Sequence, residues 1–162
     1  MAKQIEVTKI FNAPVELVWK VWVDPDLVKR WWGPKDFISP LAEIDFREGG
    51  KSLVSMQAPK EMGGQKFYSI WEYVHIIPLK KIEFIQNLSD KDGNKVEPAK
   101  VGMPPDFPMD IRTVVTFREI AGNETEMTVT EYADMGITTK FAQIGLEQSL
   151  EKMAAIFSPP IV

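Results

Sequence analysis

The chain has 162 residues, 44% of them hydrophobic and 26% charged, with a net charge of −4, one histidine and no cysteine. Its length suits one domain spanning 1–162 with a core that needs no covalent staples, and the missing cysteines exclude disulfides, thiolate metal sites and a cysteine nucleophile. An acidic chain without a long basic run argues against nucleic acid as the main partner; no stretch reaches the roughly 20 apolar residues that cross a bilayer, so no membrane insertion is expected, and the opening MAKQIEVTKIF lacks the apolar run of a signal peptide, which favours a cytoplasmic location.

Residues 3–11 alternate, with Ile5, Val7, Lys9 and Phe11 on one face, and read as a strand. Asn12 is a candidate helix N-cap and Pro14 suits the first helical turn. Val15, Val18, Trp19 and Trp22 then recur at helical spacing until Asp24-Pro25. A second short helix carries Leu27, Val28, Trp31 and Trp32 and stops at Gly33-Pro34. Ile38, Leu41, Ile44 and Phe46 are β in character, with Pro40 marking an edge or a bulge. Strands follow at 51–57, 65–77, 81–88, 111–119 and 125–132, separated by turn signals at Gly63-Gly64, Pro78-Leu79-Lys80, Asp92-Gly93-Asn94 and Ala121-Gly122-Asn123. Residues 95–110 hold four prolines and read as an irregular loop or lid near a cavity opening. A final helix over about 138–157 carries an apolar stripe of Ile144, Leu146, Leu150, Met153, Ala154 and Phe157, and Ser158-Pro159-Pro160 ends it. Strands grouped between helices give an α+β class with a six- or seven-stranded antiparallel sheet, and two short helices after the first strand.

Several blocks, in order, carry a family resemblance: Ala13-Pro14, Val18-Trp19, Asp24-Pro25, Trp31-Trp32-Gly33-Pro34, the run Glu43 to Gly50, and Gly145 to Leu150. With them the chain resembles the family named for the activator of the 90-kDa heat-shock protein's ATPase, within the START-like, or birch-pollen-allergen-like, superfamily. The resemblance implies a helix-grip fold, a curved sheet around a long C-terminal helix, and an internal cavity. It also departs from the family pattern: His75 stands where an acid is usual, and Leu146 where many members have tryptophan.

A curved sheet cannot press flat against one helix along its whole length, and the gap is the usual place for a small apolar ligand. Trp32, Phe117, Met127 and Phe141 are expected to bound one pocket, with Ile144 and Gln148 on the helix beside them. Trp71 and Tyr73 share an alternation face with His75 and line either the cavity or the outside of the sheet. Trp31 is read as a structural plug, and Met56, Met103, Met109, Met127 and Met153 as soft filling of pocket or core.

Catalytic signals are sparse. His75 lacks companions at metal-ligand spacing and is read as a surface or satisfied strand residue. Glu43, Asp45, Arg47 and Glu48 read as an exposed strand face with cross-strand ion pairs, leading into the Gly49-Gly50 turn, where no helix follows to cradle a phosphate. His75, Arg112, Glu131 and Gln148 are the polar groups that would have to converge inside a cavity enzyme. No cofactor, metal or catalytic residue is therefore expected. The reading is a binder of a small apolar or amphipathic molecule, with homodimerisation open. Its rivals are a co-chaperone acting on a heat-shock ATPase and a cavity enzyme such as a cyclase, a hydratase or a self-sacrificing resistance protein.

Overall fold

The computed structural model describes residues 5–157, so Lys3 and Gln4 of the expected first strand, and the Ser158-Pro159-Pro160 stop, lie outside the described residues. In chain order the elements are β1 (Ile5–Phe11), α1 (Val15–Val23), α2 (Pro25–Trp31), β2 (Ala42–Glu43), β3 (Lys51–Gln57), β4 (Lys66–Ile77), β5 (Lys81–Ser89), β6 (Ile111–Ile120), β7 (Glu124–Tyr132) and α3 (Thr139–Phe157). The strands form one antiparallel sheet in the order β1-β7-β6-β5-β4-β3-β2. All helices cover one face of it, which agrees with the α+β helix-grip expectation.

Local chemistry sets the element ends. Asp24 closes α1, its N–H bonding the Lys20 carbonyl, and caps α2, its carboxylate accepting from the Asp26 N–H at 2.9 Å with Pro25 in the first helical position. Asn12 does not cap α1. The cap is Pro14 without a side-chain bond, and the turn is held instead by the Thr125 hydroxyl donating to the Ala13 carbonyl at 2.8 Å. The segment around Pro40 runs along the free edge of β3. Ile38 bridges Gln57, and pairing resumes only at Ala42 and Glu43, because proline has no N–H for a ladder.

Two sequence expectations on the sheet need correction. The register of β4 against β5 shifts between Tyr73 and His75. One extra residue reverses the alternation, so Trp71 and Tyr73 are buried while His75 is exposed on the other side. The charged run does not pair across strands either. Arg47 Nε bonds Asp45 within the same segment at 2.9 Å, and the Glu48 carboxylate accepts from the Ile76 N–H at 3.0 Å.

The larger core cluster fills the end of the sheet under α1 and α2. Trp22 meets Trp31 at 4.5 Å between ring centroids, and Trp71 meets Phe84 at 5.1 Å. Trp19 closes over Phe117 at 5.1 Å. The Trp31 indole N–H donates to the Val21 carbonyl at 2.8 Å and that of Trp22 reaches the Met127 sulfur at 3.2 Å. Tilted and edge-on ring pairs of this kind stabilise beyond their buried area. α3 adds Leu150 and Met153, both fully buried, to this cluster. A smaller cluster of Ile5, Ile111, Ala133 and Met135 sits at the opposite end, beside the start of α3.

Candidate functional site

Between the two clusters the inner face is not filled. A hollow of about 440 Å³ lies against the far ends of β3 to β7, bounded by α3 and by loops. That volume is within the range that holds small organic ligands. Its floor is Met56 of β3, Phe67 and Ser69 of β4, Gln86 and Leu88 of β5, Ile111 of β6 and Glu131 of β7. The ladder explains why these meet: Met56 is opposite Phe67, Ser69 opposite Leu88 and Gln86 opposite Ile111.

One side wall is the segment after α2, with Trp32, Pro34 and Phe37. α3 holds it in place. The Ser149 hydroxyl donates to the Gly33 carbonyl at 2.8 Å. Lys152 donates to the carbonyls of Pro34 and Phe37, each at 3.2 Å, and burial lowers its pKa. Gly33 has φ +107°, and a Cβ there would meet the Cβ atoms of Met56 and Phe37 at 3.3 Å. Glycine is therefore what lets the chain turn this close to the strand.

The roof is the proline-rich loop. As expected for a stretch short of backbone donors, it runs no ladder through Pro104-Pro105. It has only a short 3-10 turn at Pro98–Val101 and an isolated bridge between Ser89 and Lys95. Met103, Pro104 and Phe107 face the hollow. Asn87 ties the loop down by donating to the carbonyl of Met109, at 2.7 Å, and to the Asp110 carboxylate. At Gly136, φ +53°, the backbone leaves room for the Asp106 side chain, which a Cβ would strike at 2.9 Å. That contact joins the loop to the start of α3.

Of the twenty described residues lining the hollow, Glu131 is the single ionisable one. It continues the inward face of β7 set by Thr125, Met127 and Val129, with Ile5 and Thr113 as its cross-strand neighbours. The side chain borders the hollow and is only partly covered, yet it lies deep enough that burial alone pushes its carboxyl up to about 7. Among the described residues no hydrogen bond or ion pair reaches that carboxyl.

The expected wall residues divide. Trp32 and Phe141 line the hollow. Phe117 and Met127 face each other across β6 and β7, as their strands require, but the element covering them is α1, through Trp19 and Trp22, and they sit in the closed core. Trp71 is fully buried beside Trp32, 5.0 Å away, outside the lining. Tyr73 bonds the Ser52 hydroxyl at 2.8 Å, with its phenol pushed up to about 12 chiefly by burial; it is a neutral tether. Ile144 lies on the exposed side of α3, and Gln148 accepts from the Lys35 N–H at 3.1 Å, tying down the side wall rather than facing the hollow. Met56 and Met103 line it, whereas Met109 is exposed and Met153 is in the core.

The four candidate polar groups do not converge. His75 is exposed, Arg112 bonds Glu83 at 2.7 Å and covers the Tyr132 ring on the outer face, and Gln148 is engaged as described. Glu131 alone reaches the hollow. Among the described residues no group of three or more His, Asp or Glu is placed to share a metal ion, and no helix is long and apolar enough to cross a membrane. Phe67, Phe107 and Met135 also line the hollow and were not singled out. Phe67 was legible, two and four residues before Ser69 and Trp71 on the same face.

The family described as Activator of Hsp90 ATPase homolog 1-like protein matches residues 12–158. Among solved structures, one from Arthrobacter aurescens is 26% identical, covering 96% of this chain and 86% of its own, with a TM-score of 0.77. A Chromobacterium violaceum structure is 24% identical over 96% of this chain and 97% of its own, with a TM-score of 0.76. The AHSA1 protein from Silicibacter pomeroyi is 18% identical over 96% of both chains, with a TM-score of 0.73. At such identities the last two speak for the fold alone. No curated protein matches the chain.

Proposed function

We propose that this chain, which belongs to the Activator of Hsp90 ATPase homolog 1-like protein family, binds a small, mainly apolar molecule in the hollow between α3 and the far end of its sheet. The observation that carries this reading is the contrast in filling. The same inner face is closed by interlocked tryptophans at one end and left open over about 440 Å³ at the other. A void of that size costs stability through lost packing contacts, and an occupant restores them. The lining is what an apolar guest needs: aromatic and methionine side chains, with few polar groups.

Acid–base catalysis on a bound substrate needs at least one further positioned group, and Glu131 stands alone among the ionisable lining residues. The co-chaperone reading draws on the family name and on no feature of the hollow. Binding is therefore the function the geometry supports best.

Titration with a neutral solvatochromic naphthalene dye such as prodan tests it. One saturable site is expected, displaced by decanol and lost in Ala142→Phe, where a ring from α3 fills the space. A dye response that never saturates, or that is unchanged in folded Ala142→Phe, rules the hollow out as a binding site.

A further inference from the structure

The hollow is almost wholly apolar, yet it contains one carboxyl group that no other group among the described residues satisfies. Buried carboxyls are ordinarily paired or hydrogen-bonded. Among the described residues, the charged groups nearest the hollow are engaged or exposed elsewhere, Lys35, Asp36 and Glu147 among the exposed. On β1, Glu6 takes a bond from Thr130, at 3.3 Å, and Lys9 pairs with Glu151. On β6, Arg112 pairs with Glu83 on the outer face. Asp106 of the roof, Asp134 and Lys140 are exposed, and Lys152 is spent on the carbonyls of the side wall.

Resting on the reading of the hollow as a binding site, we propose that its ligand is a lipophilic amine, whose apolar body fills the hollow and whose ammonium group is held by the Glu131 carboxylate. Three further features of the lining favour a cation that donates hydrogen bonds. The Thr138 hydroxyl gives its proton to the Met135 carbonyl at 2.5 Å, and that of Ser149 to the Gly33 carbonyl at 2.8 Å. Both oxygens therefore offer the hollow acceptor capacity only. Gln86 and Ser69 add groups that can accept as well as donate, so an ammonium, with three donors and no acceptor, finds acceptors on this wall besides the carboxylate. Trp32, Phe67, Phe107 and Phe141 are aromatic lining residues, a residue class whose rings attract cations, and the chain carries a net charge of −4. A fatty carboxylate would instead place a second negative charge beside Glu131. A ketone or an ester would gain a hydrogen bond from Glu131 only when that carboxyl is protonated.

Nonylamine, nonanol and nonanoate share one alkyl body and differ in the head group. Calorimetric titration of each into the protein at about pH 8 and about pH 5 separates the possibilities. At the higher pH nonylamine is expected to bind about tenfold or more tighter than nonanol, since a charge-assisted bond replaces a neutral one. That advantage shrinks at the lower pH, because Glu131 takes up a proton while the amine remains an ammonium. Glu131→Gln removes the advantage, bringing nonylamine to the level of nonanol. If nonanol or nonanoate binds as tightly as the amine in the native protein at about pH 8, or the amine keeps its advantage in Glu131→Gln, the amine assignment falls while the binding site stands. The same holds if the advantage grows as the pH drops. Binding of none of the three overturns both. The pH profile of the native protein decides alone should Glu131→Gln fail to fold.

Discussion

The two ends of one sheet face have been built to opposite rules. Under α1 and α2 the inner residues are large and interlocked. Trp31 and Trp71 are fully buried, and the indole of Trp31 is satisfied by backbone. Under the first half of α3 the strands carry Ser69, Gln86, Leu88 and Met56 beside Phe67 and Ile111, with no tryptophan among them, and the helix presents Ala142 and Gly145. The closed end supplies the rigidity, and the open end uses it. A hollow survives in a close-packed fold only if its walls cannot collapse. Here those walls are fixed by hydrogen bonds that Ser149 and Lys152 donate to the segment after α2 and that Gln148 accepts from it.

The sharpest way to break this contrast is to truncate one aromatic at each end. Trp71→Ala should cost about 3–5 kcal/mol, because it opens a cavity in a closed core. Phe141→Ala, at a position 78% exposed, should change stability by under about 0.5 kcal/mol. Urea denaturation reads both, and equal costs would erase the distinction between the two ends.

The second effect is electrostatic. Glu131 has a folded-state value of about 7 against an ordinary 4.5. Between those values the folded protein keeps a proton that the unfolded chain has released, so stability falls as pH rises through that window and is flat above it. The full loss is roughly 3 kcal/mol. Glu131→Gln should remove this slope and be more stable than the native protein above about pH 7, by up to that amount. Parallel stability curves for the two proteins from acid to neutral pH would mean that the carboxyl is not desolvated.

A third comparison inserts bulk. Val115→Phe in the closed end should overpack it and cost about 1–3 kcal/mol. Ala142→Phe enters free space and should cost less than about 1 kcal/mol. The smallest expected effect is Gly145→Ala. Its added methyl meets nothing nearer than the Pro34 Cβ at 3.9 Å, and alanine improves helix propensity by up to about 1 kcal/mol. A lower melting temperature for this variant would show the helix and side wall to be closer than described.

The elements were legible in the sequence because each carries its own period and its own stop. Asp24-Pro25 and Gly33-Pro34 bounded the short helices, and alternation bounded the strands. The inward face of β7 was legible too, and it placed a glutamate at position 131 in line with Met127 and Val129. What periodicity cannot show is a bulge. The shift after Tyr73 turned His75 outward, and no residue type at that point announces it. Nor does periodicity say which of two helices covers a given strand. Phe117 and Met127 do point at a helix, but it is α1, whose Trp19 and Trp22 contact them directly. The hollow lies where bulky partners run out, a property of summed volumes across five strands and a helix rather than of any local pattern.

The methionines allow one experiment to read both ends at once. Met56, Met103 and Met135 line the hollow, while Met127 and Met153 are fully buried in the closed core. With methyl-labelled methionine, titrating naphthalene should shift the first three methyl resonances along a saturable curve, through ring currents and contact, and leave the last two in place. Unmoved signals from Met56, Met103 and Met135, or shifts of equal size from Met127 and Met153, would contradict a ligand site confined to the open end.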